Sequence, residues 1–366
     1  MTVATARAPR NRMLDVLRAV ATLRVVLYHA SGDVRWSWVA AMPAMFFVGG
    51  ALYAKSLDRR PWTEVLPHRL RRIVVPMWAW SAFAFLVYTV AGAWNQVPVW
   101  GAIGFVLPIA PPVGPGHSGD PLYWTWMVLW YLNAYIVFMI VGIPLRRAMR
   151  RYPRATMAVL GVPILVSGLT GPNALAGVAS NLIFWMFGYW YHDNRGRLPS
   201  TRTTGGVAVV AAVAAVGYGA AVTGLKVVVT SDPFLNAAVG VAWVGGALAA
   251  AGAVERIAAW RPVDLVVTWV QQRALTIYLW HALAVGLVTE WGTRTTLFSG
   301  VWPRVAAVAV VTFLVVLAMG WVEDLAASRP ARVWPLQRRV VDLRVVPLTG
   351  SASEPDVQRG DRAMLG

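Results

Sequence analysis

The sequence contains no cysteine, so disulfides, cysteine nucleophiles and thiolate metal sites are excluded. Charge is scarce as well. Only 13% of the 366 residues are charged, 58% are hydrophobic, and the mean hydropathy is +0.56. Soluble domains carry roughly 25% charged residues, so this composition belongs to a polytopic membrane protein. Lysine is nearly missing: Lys55 and Lys226 are the only two among 33 basic residues. That bias towards arginine fits a GC-rich bacterial genome. Neither a Walker phosphate loop nor a dinucleotide glycine fingerprint is present. No solenoid-type repeat and no inverted repeat of the transporter kind is visible. The formal net charge of +17 would suit nucleic acid if it sat on a soluble surface. Here the basic residues fall in short gaps between apolar runs, so the expected partner is a lipid bilayer and not nucleic acid.

Ten stretches are long enough to span, or nearly so: 14–30, 39–57, 73–93, 122–143, 155–170, 176–192, 205–224, 234–254, 272–290 and 304–322. The expected fold class is therefore all-α, a polytopic transmembrane helical bundle of about ten spans. With the N-terminus inside and the sides alternating, 27 of the 33 basic residues fall in cytoplasmic parts and four outside. This positive-inside bias places both termini in the cytoplasm. An odd number of spans would scramble it, so the apolar piece from Trp100 to Ala110 is expected to be re-entrant. The N-terminal arginines before an apolar run resemble a signal peptide. Asp15, Arg18 and Arg24 interrupt that run, and a retained helix is expected instead. The expected domains are a cytoplasmic segment 1–12, a membrane domain 13–325 and a basic cytoplasmic tail 326–366. The tail suits the anionic inner leaflet of a bacterial cytoplasmic membrane.

Arg18 and His29 stand inside the first stretch, where charged and titratable groups are expensive and mark function. Eleven helical steps of about 100° put both on one face, roughly 16 Å apart along the axis. Asp15, three residues before Arg18, is placed to pair with it. Histidine suits a general base because its ordinary pKa lies near working pH. The plainer readings are an interfacial hydrogen bond for His29 and mutual neutralisation for Asp15 and Arg18. Arg24 sits about 140° around the helix from His29 and has no assigned role.

Arg69 and Arg72, one turn apart before the third stretch, can present two forks to one anion, such as the phosphates of acyl-CoA. Ordinary positive-inside charge is the plainer account. In the ninth stretch, Tyr278-Leu-Trp-His281 puts Trp280 and His281 near mid-membrane. His281 there either shares the cavity of His29 or bonds between helices. The sequence Trp130-Tyr-Leu-Asn133 reads as aromatic packing plus one interhelical hydrogen bond.

Taken in order, these residues resemble the acyltransferase-3 family of integral membrane acyltransferases. The family's Arg, ten residues, then His is Arg18 to His29. Its Phe-Phe pair followed by glycine is Met45-Phe-Phe-Val-Gly-Gly50, and its Arg-x-x-Arg with a following proline is Arg69, Arg72 and Pro76. The likeness covers roughly residues 10 to 325. Many members carry an acidic residue and a Ser-Gly around the Phe-Phe pair; this chain has Ala44 and Gly49-Gly50, like an actinobacterial subgroup with a stand-alone membrane domain.

The resemblance implies that acyl-CoA, as co-substrate, docks from the cytoplasm with its phosphates on Arg69 and Arg72 and its arm passing Arg18. His29 would act as base for a hydroxyl or amine acceptor, a sugar of a glycan or glycolipid; an acyl-histidine intermediate stays open. No metal and no permanently bound cofactor is implied. Two other readings stay open. Asp15, Arg18 and His29 would equally suit a proton-coupled transporter or flippase of a polar lipid or glycan. A membrane scaffold that uses its basic tail for lipid contact is the third.

Overall fold

The computed structural model describes residues 11–117, 119–295, 298 and 300–334, all within one compact unit. The expected segment 1–12 and tail 326–366 therefore lie mostly outside the described residues. Among the described residues every regular element is a helix. In order it forms α1 (Arg12–Ser31), α2 (Met42–Leu57), α3 (Trp62–Ala91), α4 (Val99–Val106), α5 (Trp124–Met127), α6 (Leu129–Arg151) and α7 (Pro153–Thr170). Then follow α8 (Ala174–Asp193), α9 (Thr201–Tyr218), α10 (Pro233–Ala249), α11 (Ala251–Ala259), α12 (Arg261–Gln272), α13 (Ala274–Arg294) and α14 (Val301–Ala326).

Each of the ten expected stretches is helix. By length and composition, seven helical stretches among the described residues can cross a membrane, or eight if the bent α10–α11 pair counts as one. The other two expected spans are α1 and α8, each 20 residues and about 30 Å long. α1 holds Arg12, Asp15, Arg18 and Arg24, and α8 is interrupted by Asn181, His192 and several tyrosines and tryptophans, which lowers the hydropathy of both. The chain is a multi-pass membrane protein with a helical-bundle fold.

Local chemistry explains the helix limits. Asn11 caps α1 by accepting from the Leu14 N–H at 3.2 Å, and Gly32, at φ +67°, ends it by donating its N–H to the Tyr28 carbonyl. α2 is buried on nearly every side, as a helix apolar all round must be. It meets α8 backbone to backbone. A Cβ on Gly50 would lie 2.1 Å from the Trp185 carbonyl oxygen, and one on Gly188 would lie 2.2 Å from that of Phe47. Small residues of this kind let membrane helices approach closely.

Two details depart from the hydropathy reading. The expected straight span 234–254 breaks after Ala249, where α10 and α11 meet at a 69° bend. An amphipathic helix, α12, then precedes the ninth expected span; it opens with Arg261 and Pro262, proline being favoured in a first turn. The piece 100–110 contains α4, eight residues and about 12 Å, far too short to cross. Hydrogen bonds hold it and its loop against α3 and α6. The Trp78 indole donates to Val106 O and the Ser81 hydroxyl to Phe105 O, both at 2.9 Å, and the Asn133 amide donates to Ala110 O.

Candidate active site

The N-terminal turns of α1, α3 and α13 and the last turn of α14 gather at one end of the bundle and enclose a cavity of about 300 Å³. Its walls carry three guanidinium groups, Arg18 from α1 and Arg69 and Arg72 from α3. Arg18 donates Nη2 to the Gln271 carbonyl at 3.0 Å, while its Nε is buried without a hydrogen-bond partner. Arg69 donates Nη2 to the Leu52 carbonyl at 2.8 Å and to the Ser56 hydroxyl at 2.7 Å, and lies over the Tyr53 ring. Arg72 forms no hydrogen bond or ion pair with the described residues and is exposed. Among the described residues one carboxylate reaches the cavity, Glu323 of α14. It is committed to α13, accepting from the Thr276 hydroxyl at 2.8 Å and from the Thr276 N–H at 3.2 Å. Gly49 keeps the wall open; a Cβ there would fall 2.7 Å from the Tyr135 ring.

Asp15 and Arg18 are not an ion pair. Asp15 pairs with Arg12 instead, at 3.6 Å, and Arg12 also pairs with Asp264 of α12. Arg12 and Arg18 are both three residues from Asp15, so helical spacing does not choose between them. The break between α12 and α13 decides, because it offers Arg18 the Gln271 carbonyl while the Gln271 amide donates to the Asp15 carbonyl at 2.5 Å. Asp15 thus anchors the start of α1 and is absent from the cavity wall.

His29 lies in the last turn of α1, and the structure brings it to His281. His29 Nδ1 and His281 Nε2 are 2.9 Å apart, with the rings nearly parallel at 11° and 5.2 Å between centroids. His281 is fully buried, and its Nδ1 lies 2.6 Å from the Tyr278 carbonyl and 3.2 Å from that of Ile277. Trp124 packs on His29 with centroids 5.1 Å apart. Tyr278 links this pair to the cavity: it lines the cavity wall, and its ring lies 5.9 Å from His281. Trp280 meets neither group. Its indole packs edge-on against Trp80 at 5.0 Å and against Phe83, as buried core.

Sequence reasoning missed several partners. Arg24 donates Nε to the Trp36 carbonyl at 2.6 Å and sits over the Tyr28 ring, pinning the 3-10 turn Val34–Trp38 to α1. Glu323 has no role in the sequence reading, although an acid directly at the end of an apolar stretch is a signal that could have found it. Arg273, with no exposed surface, forms a 2.8 Å ion pair with Asp324 beneath the cavity. On the same end of the bundle, Asp58, His192 and Asp193 bring ligand atoms within 4.8 Å of one another, but Arg146 and Arg150 take the same carboxylates and knit α2, α6 and α8 together. Burial of Asp58 opposes its charge, yet the His192 hydrogen bond and the Arg146 charge outweigh this and hold its carboxyl below the ordinary range.

An all-helical membrane bundle agrees with the comparison to known families. The family model described as an acyltransferase domain, of the acyltransferase-3 type, matches residues 11–321. No curated protein and no solved structure is matched. The match takes in α1 through nearly all of α14, and so the histidine pair and the cavity wall apart from Glu323. The chain belongs to the acyltransferase-3 family and is a multi-pass membrane acyltransferase.

Proposed function

We propose that the protein moves an acyl group from acyl-CoA to a hydroxyl of a glycan, glycolipid or other envelope acceptor. The arginine-rich end would face the cytoplasm of a bacterial cell and His29 the outer half of the membrane. The observation that carries the donor reading is the cavity. It concentrates three guanidiniums on α1 and α3, its one carboxylate is held by Thr276, and Arg18 Nε is a buried donor left without a partner. Such a site favours a polyanion, and arginine forks suit phosphate oxygens. The charge asymmetry supports the orientation, since the basic residues cluster at the cavity end.

In this reading the donor's phosphates rest on Arg69 and Arg72 and its arm runs past Arg18 and Tyr278. Arg18 and His29 are separated by roughly 16 Å along α1, so the arm must reach about half the hydrocarbon thickness. His29 takes the proton of the acceptor hydroxyl. The oxygen attacks the thioester carbonyl, the carbon–sulfur bond breaks, and His29 returns the proton to the departing CoA thiolate. The test is release of CoA thiol by purified protein in nanodiscs, supplied with acyl-CoA and a panel of sugar acceptors. His29→Ala should insert and fold normally and lose roughly 10²- to 10⁴-fold in rate, the usual worth of a positioned base. Transfer at the wild-type rate by well-folded His29→Ala would remove His29 from the role of base.

A further inference from the structure

We infer that His281 is a positioning residue that fixes the protonation pattern of His29, leaving the Nε2 of His29 bare to accept a proton. The argument runs outward from the buried ring. Both oxygens beside His281 Nδ1, those of Tyr278 and Ile277, are backbone carbonyls and can only accept. His281 Nδ1 must therefore carry the hydrogen. A doubly protonated His281 would bury a cation with no exposed surface, and its only polar contacts among the described residues are these carbonyls and the other imidazole. The neutral ring has one N–H, so His281 Nε2 presents a lone pair. His29 Nδ1, 2.9 Å away, is left as the donor of that bond. A neutral His29 with hydrogen on Nδ1 has its lone pair on Nε2, which has no hydrogen-bond partner among the described residues.

The order is then carbonyl, His281, His29, and the acceptor's proton. A backbone carbonyl takes the place that a carboxylate holds in other histidine-based catalysts, where the orienting partner sets the tautomer of the base. The two rings meet edge to edge and nearly coplanar, as an in-plane N–H···N bond requires, and the contact of Trp124 with His29 restricts rotation about this bond. The catalytic meaning of the relay rests on the acyl-transfer reading above; the tautomer itself does not.

The test keeps those two apart. Protein labelled with ¹⁵N-histidine has five histidines, and His29→Ala identifies the His29 signals by difference. At neutral pH in nanodiscs, His29 is expected to show a protonated Nδ1 and an unprotonated Nε2. His281→Phe should turn this into a mixture or reverse it, and His281→Gln, whose amide oxygen falls near the position of the imidazole Nε2, should restore it. In the CoA-release assay, His281→Phe should lower kcat about tenfold or more with donor KM unchanged, and His281→Gln should recover most of the loss. Protonation of His29 on Nε2 in the wild type would overturn the inference, as would a pattern unchanged by His281→Phe. If the wild type transfers no acyl group, the acyl-transfer reading fails while the ¹⁵N pattern still decides the relay.

Discussion

Replacement of Arg72 by alanine separates donor binding from every structural role, because Arg72 contacts the cavity and nothing else in the described chain holds its guanidinium. Its loss leaves no buried partner unsatisfied, so the fold should be unaffected. What disappears is one charge-assisted contact with an anionic donor, worth about 1.5–3 kcal/mol. Since 1.4 kcal/mol is about tenfold in affinity, donor Kd and KM should rise roughly 10- to 100-fold. The effect on kcat at saturating donor should be about twofold or less, because Arg72 lies at the cavity end and His29 at the other end of α1. Titration calorimetry of CoA binding to the protein in nanodiscs gives the Kd, and thiol release gives KM and kcat. The loss should shrink as salt rises, because screening weakens the wild type more than the variant. Arg69 is the control: Arg69→Ala also frees the Leu52 carbonyl and Ser56, so it should lower thermal stability as well as affinity. An unchanged Kd for Arg72→Ala at low salt would refute the placement of the phosphates.

Three further outcomes follow from packing and charge. Gly188→Ala drives a Cβ against the Phe47 carbonyl at 2.2 Å, which no rotamer relieves; α2 and α8 must part, at about 3 kcal/mol or more, readable as a lowered melting temperature in detergent. A wild-type melting temperature would show that this helix contact is looser than described. Asp324→Ala leaves Arg273 buried beside a single carbonyl and should cost about 3–5 kcal/mol, with poor yield of folded protein as the first sign. Asp58 has a folded-state pKa below its unfolded value, so its stabilisation is present above the unfolded pKa and disappears as pH falls through the folded one. The stability gap between wild type and Asp58→Asn should therefore exist at neutral pH and close below about pH 4, and it should be about 1 kcal/mol or less because the side chain is 41% exposed. A gap that persists in acid would mean the carboxylate charge is not its source.

Hydropathy read the helices well and their joints poorly, for a physical reason. A spanning segment must hide its backbone and present apolar side chains to lipid, and that leaves a long apolar run in the sequence. α12 leaves none, because only one face of it is apolar, and the bend at Ala250 has no proline to announce it. The arginine trio of the cavity was legible because guanidiniums inside or beside apolar runs are rare. Its partners were not: Gln271 and Thr276 are ordinary polar residues whose roles exist only once the end of α12 lies beside α1 and the start of α13 beside α14. His281 was visible as a costly mid-membrane group, yet nothing in the spacing of one helix chooses between a quiet hydrogen bond and a 2.9 Å contact with a residue 252 positions away. The expected pairing of Asp15 with Arg18 does not form because helix spacing allows two solutions, and Arg12, three residues on the other side, takes the carboxylate.

The interlocked glycines of α2 and α8 also bear on the birth of the molecule. α2 leaves the ribosome about 140 residues before Gly188 does, which at 5–20 residues per second is on the order of ten seconds. For that interval the most enclosed helix of the finished protein has none of its main covering and stands in lipid with its Gly49-Gly50 notch open. Glycine exposes little there that lipid must solvate, so the notch can wait. Any nascent chain stalled before α8 would keep that face open, with α1, α3 and α6 to cover the rest of α2, and would present it to the cell's membrane quality control.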